Sequence, residues 1–279
     1  MAVTLTGKVA AITGGAQGIG RAIARELVDQ GMSVVIGDLD LPLATRTATQ
    51  LGERVLAIDL DVTSRPSMNR FVDQAQDAFG PLDVMINNAG IMVVGELAKE
   101  EERATDLMVD VNLHGVLNGC KAAVGVMSDR GQGHIVNIAS TAGKVALSHL
   151  VTYTATKHAV VGLTDSLRAE LRDRGIQVSA IMPVPVNTRL GVELGRSMIP
   201  PVEPEDVARQ TVKVLKRRSN EAYVPGYMEV MLAATRWMPS AARDFATRAF
   251  GGHNVMTKAD DATRAAYQRK VLGAQRPRA

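Results

Sequence analysis

Residues 8–20 read KVAAITGGAQGIG and contain the pattern that decides the fold. The apolar run from Lys8 to Thr13 is typical of a short buried strand, and a glycine-rich turn follows it. Apolar residues then recur at a helical spacing from about Ile19 to Gln30. The stretch therefore predicts a strand, a tight turn and a helix, in that order.

The same scheme repeats along the chain. The next strand candidate is SVVIGD (residues 33–38), and the later ones are RVLAIDLD, LDVMINNAG, GHIVNIAS and IQVSAIMP, with helical segments between them. These runs are almost continuously apolar, which is typical of a parallel sheet covered on both faces. The order predicts an α/β protein with a Rossmann-type, doubly wound parallel sheet of about seven strands and helices on both faces. We expect residues 1–224 to form one domain and residues 225–279 a C-terminal extension, first amphipathic and helical, then loosely ordered.

Bulk composition excludes several classes of protein. The chain has 279 residues and a net charge of +3, so it does not resemble a nucleic-acid-binding protein. Cys120 is the single cysteine, which excludes an internal disulfide. The N-terminus lacks the pattern of a signal peptide, and no apolar run reaches the length of a spanning helix. We expect a cytoplasmic protein, and the scattered histidines predict no metal site.

The turn after the first strand has the chemistry of a phosphate site. Its glycines at Gly14, Gly18 and Gly20 permit a sharp turn that brings backbone N–H groups against a pyrophosphate. In a strand–turn–helix context this spacing indicates a dinucleotide site. Asp38 ends the second strand, where its carboxylate can accept hydrogen bonds from ribose hydroxyls and would repel a 2′-phosphate. With Leu39 beside it rather than a basic residue, we expect NAD rather than NADP.

Two further strand ends contribute candidates on the cofactor side. Asp61 and Val62 close the third strand, where the carboxylate could bind an adenine amino group. Asn88, Ala89 and Gly90 follow the fourth strand, and their small size permits close approach of the backbone to a cofactor.

A second constellation carries acid–base chemistry. Tyr153 and Lys157 are four residues apart in a helical stretch, which places the phenol and the ammonium on one face. A neighbouring ammonium is expected to lower the pKa of the phenol towards neutrality. Ser140 ends the fifth strand and can hydrogen-bond a substrate oxygen. Asn112 is a polar residue in an apolar helix, and a water relay to Lys157 would satisfy it.

With these residues in hand, the chain resembles the classical short-chain dehydrogenases/reductases over residues 5–225. Thr13 to Gly20 is similar to their TGxxxGIG turn, Asn87 to Gly90 to their NNAG, and Tyr153 to Lys157 to their YxxxK. The resemblance implies that Tyr153 exchanges the proton, Ser140 positions the substrate, Lys157 holds the nicotinamide ribose and Asn112 organises a water. It also implies a dimer or tetramer built on helices around residues 100–127 and 152–173. The cofactor site it implies consists of Gly14, Gln17, Gly18, Ile19, Gly20, Asp38, Leu39, Asp61, Val62, Asn88, Ala89, Gly90, Tyr153, Lys157, Pro183, Val186 and Thr188.

The sequence departs from the family pattern at two positions. Val184 replaces the glycine that usually follows the proline after the sixth strand, and Ser148 stands where a proline is frequent. We expect both to affect the shape of the substrate pocket rather than the four catalytic candidates.

The remaining segments leave alternatives open. The apolar residues between Arg189 and Glu203 suit a lipophilic substrate and equally suit a lid that packs on the protein itself. The extension after Pro225 carries nine basic against four acidic residues, together with Trp237 and Phe245. It is compatible with packing on a neighbouring subunit, capping of the pocket, peripheral membrane contact or disorder.

Taken together, these observations predict an NAD-dependent oxidoreductase that interconverts a secondary alcohol and a ketone. The alternative is an NAD(H)-binding sensor without turnover. The combination of Ser140, Tyr153 and Lys157 favours the enzyme, because a sensor does not require it.

Overall fold

The computed structural model describes residues 3–188, 190, 200–235, 239 and 273 of the chain. Its strands are β1 (Val9–Thr13), β2 (Ser33–Asp38), β3 (Val55–Asp59), β4 (Leu82–Asn87), β5 (Gly133–Ile138), β6 (Ile176–Pro183) and β7 (Glu221–Val224). Its helices are α1 (Gly18–Asp29), α2 (Leu41–Leu51), α3 (Arg65–Phe79), α4 (Glu102–Val109), α5 (Gly115–Ser128), α6 (Val151–Leu171), α7 (Pro204–Arg217) and α8 (Tyr227–Thr235).

The seven strands form one parallel sheet in the order β3-β2-β1-β4-β5-β6-β7. The predicted Rossmann-type sheet is therefore confirmed, including its number of strands. The order reverses between β1 and β4, and ligands of such sheets bind in the crevice at that point, beyond the carboxyl ends of the strands.

The core consists of two apolar layers, one on each face of the sheet. Along β1 the side chains alternate between them, because successive residues of a strand point to opposite faces. Val9 and Ala11 contribute to the layer beneath α3, α5 and α6, whereas Ala10 and Ile12 contribute to the layer beneath α1, α2 and α7. Both layers are buried, which explains the continuously apolar strands.

Local signals in the sequence fix several helix starts. Asp40 caps α2 by accepting a hydrogen bond from the Leu43 N–H at 3.1 Å. Glu203 and Asp206 form a capping box at α7, with Pro204 as its first residue. Both helices follow parallel strands, so these caps lie on the side of the carboxyl edge of the sheet.

The start of the C-terminal extension packs on this core. Helix α8 follows β7 directly, and Met228 and Leu232 are buried in the layer that also contains Tyr223. The domain boundary at residue 224 stays a prediction, and Trp237 and Phe245 lie outside the described residues. None of the helices in the described ranges is long and apolar enough to cross a bilayer.

Candidate active site at the carboxyl edge of the sheet

The glycine turn lies at the switch point of the sheet and is too crowded for side chains. Gly14 has a φ of 66°, and a Cβ there would lie 2.9 Å from the Cα of Ala89 after β4. A Cβ on Gly20 would lie 2.2 Å from the carbonyl oxygen of Gly14. Gly18 also has a positive φ, of 55°. The turn therefore requires glycine at all three predicted positions.

The end of β4 is fastened to this turn by hydrogen bonds. The Asn88 side-chain amide donates to the carbonyls of Thr13 and Gly14 at 2.9 and 3.0 Å. The Thr13 hydroxyl accepts from the backbone N–H groups of Asn88 and Ala89, both at 3.0 Å. Asn88 thus stabilises the cradle rather than pointing away from it.

The N-terminus of α1 fits an anionic group. Helix α1 begins at Gly18 directly after the turn, and in the described part of the chain no side chain caps it at Gln17. The first N–H groups of a helix lack intrahelical partners and carry partial positive charge. Together with the glycine cradle, this arrangement fits a dinucleotide pyrophosphate.

Asp38 is held rigidly beside the turn. Its Oδ2 accepts from the Ala16 N–H and its Oδ1 from the Asp40 N–H, both at 3.1 Å. Burial raises the pKa of this carboxyl group, and the backbone hydrogen bonds lower it in part. The neighbouring Leu39 is 37% exposed, as expected of a residue at a ligand-binding surface.

Asp61 lies two positions and Val62 three positions beyond the end of β3, rather than within the strand. Asp61 Oδ1 accepts from both the backbone and the hydroxyl of Thr63, at 2.9 and 2.7 Å, and thus fixes the turn. The Val62 carbonyl accepts from the Asn118 side chain at 2.9 Å. Both predicted residues therefore lie at the same edge as Asp38.

The acid–base candidates converge at the ends of β5 and α6. Tyr153 is 7% exposed and Lys157 5%, in the first two turns of α6. The Ser140 hydroxyl is hydrogen-bonded to the Tyr153 phenol and accepts from the Ala142 N–H at 3.1 Å. Lys157 Nζ donates to the Ile138 carbonyl at 3.0 Å. Ser140 lies two residues beyond β5, not within it.

Electrostatics in this pocket differ from the expectation. Burial raises the pKa of Tyr153 to about 12, and the hydrogen bond with Ser140 lowers it in part. Burial also lowers the pKa of Lys157 to about 8. Desolvation outweighs the attraction between phenolate and ammonium because both groups lie inside the protein.

Asn112 lies in a single π-helical turn, Asp110–His114, between α4 and α5. Its side chain is fully buried, accepts from the Ile91 N–H and donates to the Ile91 carbonyl, both at 2.8 Å. It also donates to Thr156 on α6 at 3.2 Å. A Cβ on Gly90 would lie 3.3 Å from Asn112 Oδ1 and 3.7 Å from Lys157 Nζ, so both polar groups border Gly90.

The segment after β6 closes the other side of the crevice. The Pro183 carbonyl accepts from the Thr141 hydroxyl at 3.2 Å, and Val186 bridges to Val202. A Cβ on Gly18 would lie 3.3 Å from Thr188 Cγ2, which places Thr188 against the glycine turn. Val184 is buried in the core and donates its N–H to the Val224 carbonyl at 2.9 Å. The residue at the family's usual glycine position therefore extends the sheet pairing.

Comparison with known proteins identifies this arrangement. The family model described as short chain dehydrogenase matches residues 8–198, about two thirds of the chain. The chain belongs to the short-chain dehydrogenase family. This short-chain dehydrogenase is 34% identical over 212 residues to an uncharacterized oxidoreductase of Staphylococcus aureus strain MRSA252, covering 76% of the chain and 92% of the relative. A second uncharacterized oxidoreductase, from Staphylococcus saprophyticus, is 31% identical over 222 residues, with 78% and 95% covered.

Solved structures extend the likeness to proteins with bound nucleotide. A 3-ketoacyl-(acyl-carrier-protein) reductase from Brucella melitensis, complexed with NADH, matches with a TM-score of 0.74 and 29% identity, over 79% of this chain and 97% of that chain. A short-chain dehydrogenase/reductase from Burkholderia phymatum, in complex with NAD, matches with a TM-score of 0.76 and 27% identity, over 83% and 93%. The chain is accordingly an oxidoreductase of this family.

Sequence reasoning missed one residue that shapes the cofactor side of this short-chain dehydrogenase. Thr47 on α2 is 3% exposed, and its hydroxyl donates to the Ala16 carbonyl at 2.8 Å. The Ala16 N–H is held by Asp38, so both backbone polar groups of Ala16 are fixed. A buried threonine in the middle of a helix was the available signal, because such a hydroxyl requires a partner.

The sequence predicts that the chain has no metal site, and for the chain as a whole this stays a prediction. Among the described residues, no three His, Cys, Asp or Glu side chains group in a way that could hold a metal ion. His149, four residues before Tyr153, is half-buried with a φ of 63°, and its Nδ1 lies 3.0 Å from the Ser148 hydroxyl.

Proposed function

We propose that this short-chain dehydrogenase interconverts a secondary alcohol and a ketone with NAD, and that Tyr153 is its acid–base catalyst. The observation that carries the proposal is the grouping of buried Tyr153 and Lys157 with half-buried Ser140 at the sheet edge that also holds the glycine turn. A phenol, a hydroxyl and an ammonium in one crevice can bind a substrate oxygen and move its proton.

The choice of NAD rests on Asp38. Its carboxylate is fixed by the Ala16 and Asp40 N–H groups, so it cannot easily turn away from a ribose. A fixed carboxylate can still accept ribose hydroxyls on its remaining lone pairs, and it repels a 2′-phosphate. The neighbours from Brucella and Burkholderia, which hold NADH and NAD, support the same choice.

Bound NAD⁺ supplies the hydride acceptor for the substrate carbon. The chain's own residues manage the substrate oxygen. Ser140 donates a hydrogen bond to that oxygen, and Tyr153, in its phenolate form, takes its proton as the carbonyl forms. In the reverse direction Tyr153 returns the proton to the developing alkoxide. Ser140 and Tyr153 lie close enough for the Ser140 hydroxyl to lower the pKa of the phenol, so both groups can face the same substrate oxygen.

Lys157 and Asn112 act behind the phenol. The Lys157 ammonium donates to the Ile138 carbonyl and would hold the nicotinamide ribose when the cofactor is bound. As a cation beside the ring it favours the phenolate, opposing the effect of burial. Asn112 fixes the Ile91 backbone and Thr156 of α6, which keeps α6 in place next to Gly90.

We expect a lipophilic substrate. Met92, Val93 and Val94 after β4 pack with Leu150 and Tyr153 in a separate apolar cluster. Leu190 is partly buried against the same cluster, and residues 191–199 lie outside the described part of the chain. Apolar walls around the phenol favour substrates whose carbinol carbon carries hydrocarbon substituents.

The oligomeric state and the cellular location of the protein are also proposals. We infer a homodimer or homotetramer that uses helices around residues 100–127 and 152–173, in the cytoplasm. Peripheral membrane contact through the extension stays an alternative to its packing on a subunit.

The deciding experiment is reduction of NAD⁺ by the purified full chain across a panel of secondary alcohols, sterols and medium-chain alcohols, with NADP⁺ in parallel. Turnover with NAD⁺ and little with NADP⁺ is the expected result. Turnover with NADP⁺ alone would overturn the cofactor assignment. NADH binding without turnover on any substrate of the panel would favour the sensor.

A further inference from the structure

A single carboxylate connects α4 to the helix that carries Tyr153. Glu100 Oε1 accepts a hydrogen bond from the Thr105 hydroxyl on α4 at 2.5 Å and another from the Thr152 hydroxyl on α6 at 2.6 Å. Thr152 directly precedes Tyr153 and is 9% exposed. Glu100 itself is half-buried. Charge-assisted hydrogen bonds of this length are among the stronger ones in proteins.

The first turn of α6 depends on this contact. Helix α6 begins at Val151 after Leu150, and among the described residues no side chain caps that position. Glu100 places a carboxylate at this end of the helix through the second residue of the turn, where negative charge is favoured by the helix dipole. Tyr153 is the third residue of the same turn, so movement of the turn moves the phenol.

The contact also fixes the opposite wall of the pocket. The segment from Met92 to Val94 packs against Tyr153 and then leads through Gly95 towards Glu100. The Gly95 N–H donates to the His149 carbonyl at 2.9 Å, just before α6. The wall and the catalytic helix are therefore joined by one backbone bond at Gly95 and by one carboxylate at Glu100.

We propose that Glu100 is a positioning residue, which holds Tyr153 at its reacting distance through Thr152; this rests on the function proposed above. Glu100 touches neither the phenol nor the crevice atoms described here, so it acts through the first turn of α6. Proton transfer depends steeply on the distance between the phenol and the substrate oxygen, and small misplacements of catalytic groups cost large factors in rate. The shared acceptor oxygen makes the contact, and its negative charge strengthens it.

Four variants separate this role from a general loss of stability. Glu100→Ala removes the acceptor, and Glu100→Gln keeps an oxygen that both hydroxyls can reach. Thr152→Val removes one donor with little change of shape, and Thr152→Ser restores it. Glu101→Ala is the matched control, because this exposed glutamate is adjacent and, within the described residues, makes no side-chain bond to the start of α4.

Steady-state kinetics on the best alcohol of the panel supplies the first readout. We expect kcat of Glu100→Ala and Thr152→Val to fall by about tenfold, with KM for NAD⁺ unchanged. The deuterium isotope effect on kcat should rise, because the chemical step becomes slower. Thr152→Ser and Glu101→Ala should stay close to wild type, and Glu100→Gln, which keeps the acceptor oxygen without the charge, should lose less activity than Glu100→Ala. Equal losses in Glu100→Gln and Glu100→Ala, or an unchanged kcat in Thr152→Val, would overturn the proposal.

Amide hydrogen exchange of the protein without cofactor supplies a readout that does not require turnover. Residues 151–155 should exchange faster in Glu100→Ala and Thr152→Val than in wild type, whereas Glu101→Ala should not differ. Absence of turnover in the wild type would contradict the proposed function alone, and the exchange data would then decide whether Glu100 fixes α6. Unchanged exchange in both variants would overturn the link itself.

Discussion

Lys157 Nζ lies 5.7 Å from the centre of the Tyr153 ring, one turn further along α6. At this distance the ammonium is attracted to the ring face as well as to the phenol oxygen. Both side chains are buried, so their interaction is weakly screened. Burial therefore opposes the attraction between the two groups, because it disfavours the charged form that each needs for catalysis.

This relationship gives Lys157 a distinct pH signature. Burial lowers its pKa from 10.5 to about 8, so in the folded protein the ammonium is present below about pH 8 and is lost above it. We expect NADH binding to weaken as the pH rises through this value, because the ribose loses a charged donor. Fluorescence titration of NADH across the pH range would measure this effect. Lys157→Met should bind more weakly and show no inflection there; an identical inflection in that variant would exclude Lys157 as its source.

Asp38 is predicted to set the preference between NAD and NADP. Asp38→Asn keeps an acceptor oxygen for the Ala16 N–H and removes the negative charge. We expect the affinity ratio of NADPH to NADH to rise by about tenfold or more, because like-charge repulsion is relieved. Equilibrium titrations with both reduced cofactors test this. Asp40→Asn, a neutralised and exposed neighbour, should leave the ratio unchanged, and an unaltered ratio in Asp38→Asn would contradict the assignment.

Thr47 is predicted to support the glycine turn from α2. Thr47→Val removes the hydroxyl that holds the Ala16 carbonyl and leaves that buried acceptor without its partner. The affinity for NADH should fall several-fold, while Thr47→Ser should bind like the wild type. Calorimetric titration of the three proteins distinguishes the outcomes. Equal affinities for Val and Ser at this position would show that the hydroxyl has no part in cofactor binding.

His134 is predicted to make the fold sensitive to acid. Its Nε2 lies 2.7 Å from the Ser179 hydroxyl, which donates to the Ser219 carbonyl at 2.6 Å, so Nε2 carries a proton and donates to Ser179. Burial, with Arg218 and Lys8 nearby, lowers its pKa from 6.5 to about 3. The unfolded chain therefore binds a proton below pH 6.5 that the folded protein does not accept.

The free energy of unfolding therefore decreases in acid because of His134. Stability is complete above the unfolded pKa and falls as the pH drops from 6.5 towards 3, by about 1.4 kcal/mol per pH unit for this group. His134→Gln should flatten the dependence in denaturant unfolding experiments between pH 7 and 4, roughly the range in which the group titrates. His158→Gln, which changes an exposed histidine, should not. A slope unchanged by His134→Gln would contradict the prediction.

Patterns within short segments predicted the fold well. The strand at Ser33–Asp38 is found with the expected bounds, because a buried parallel strand has an unambiguous apolar run and a polar end. The grouping of Tyr153 and Lys157 on one face followed from helical periodicity alone. The sign of the Tyr153 pKa shift did not follow, because it depends on burial by residues far away in sequence.

Contacts between distant segments were not predictable from the sequence. The acceptors of Thr47 and Thr152 lie 31 and 52 residues away, and no local pattern relates these residues. The role of Asn112 in organising a water stays a prediction, whereas its contacts with the Ile91 backbone and Thr156 were not predicted. Such pairings arise only when the sheet has placed the loops side by side.

The role of Tyr153 as the acid–base catalyst is tested most directly by the rate of NAD⁺ reduction by Tyr153→Phe, measured beside the wild type on the best alcohol of the panel. The affinity for NADH is the control for folding. Turnover should fall by about 10²-fold or more while NADH still binds, because only the proton acceptor is removed. Turnover retained at the wild-type rate would contradict the assignment of Tyr153 as the acid–base catalyst.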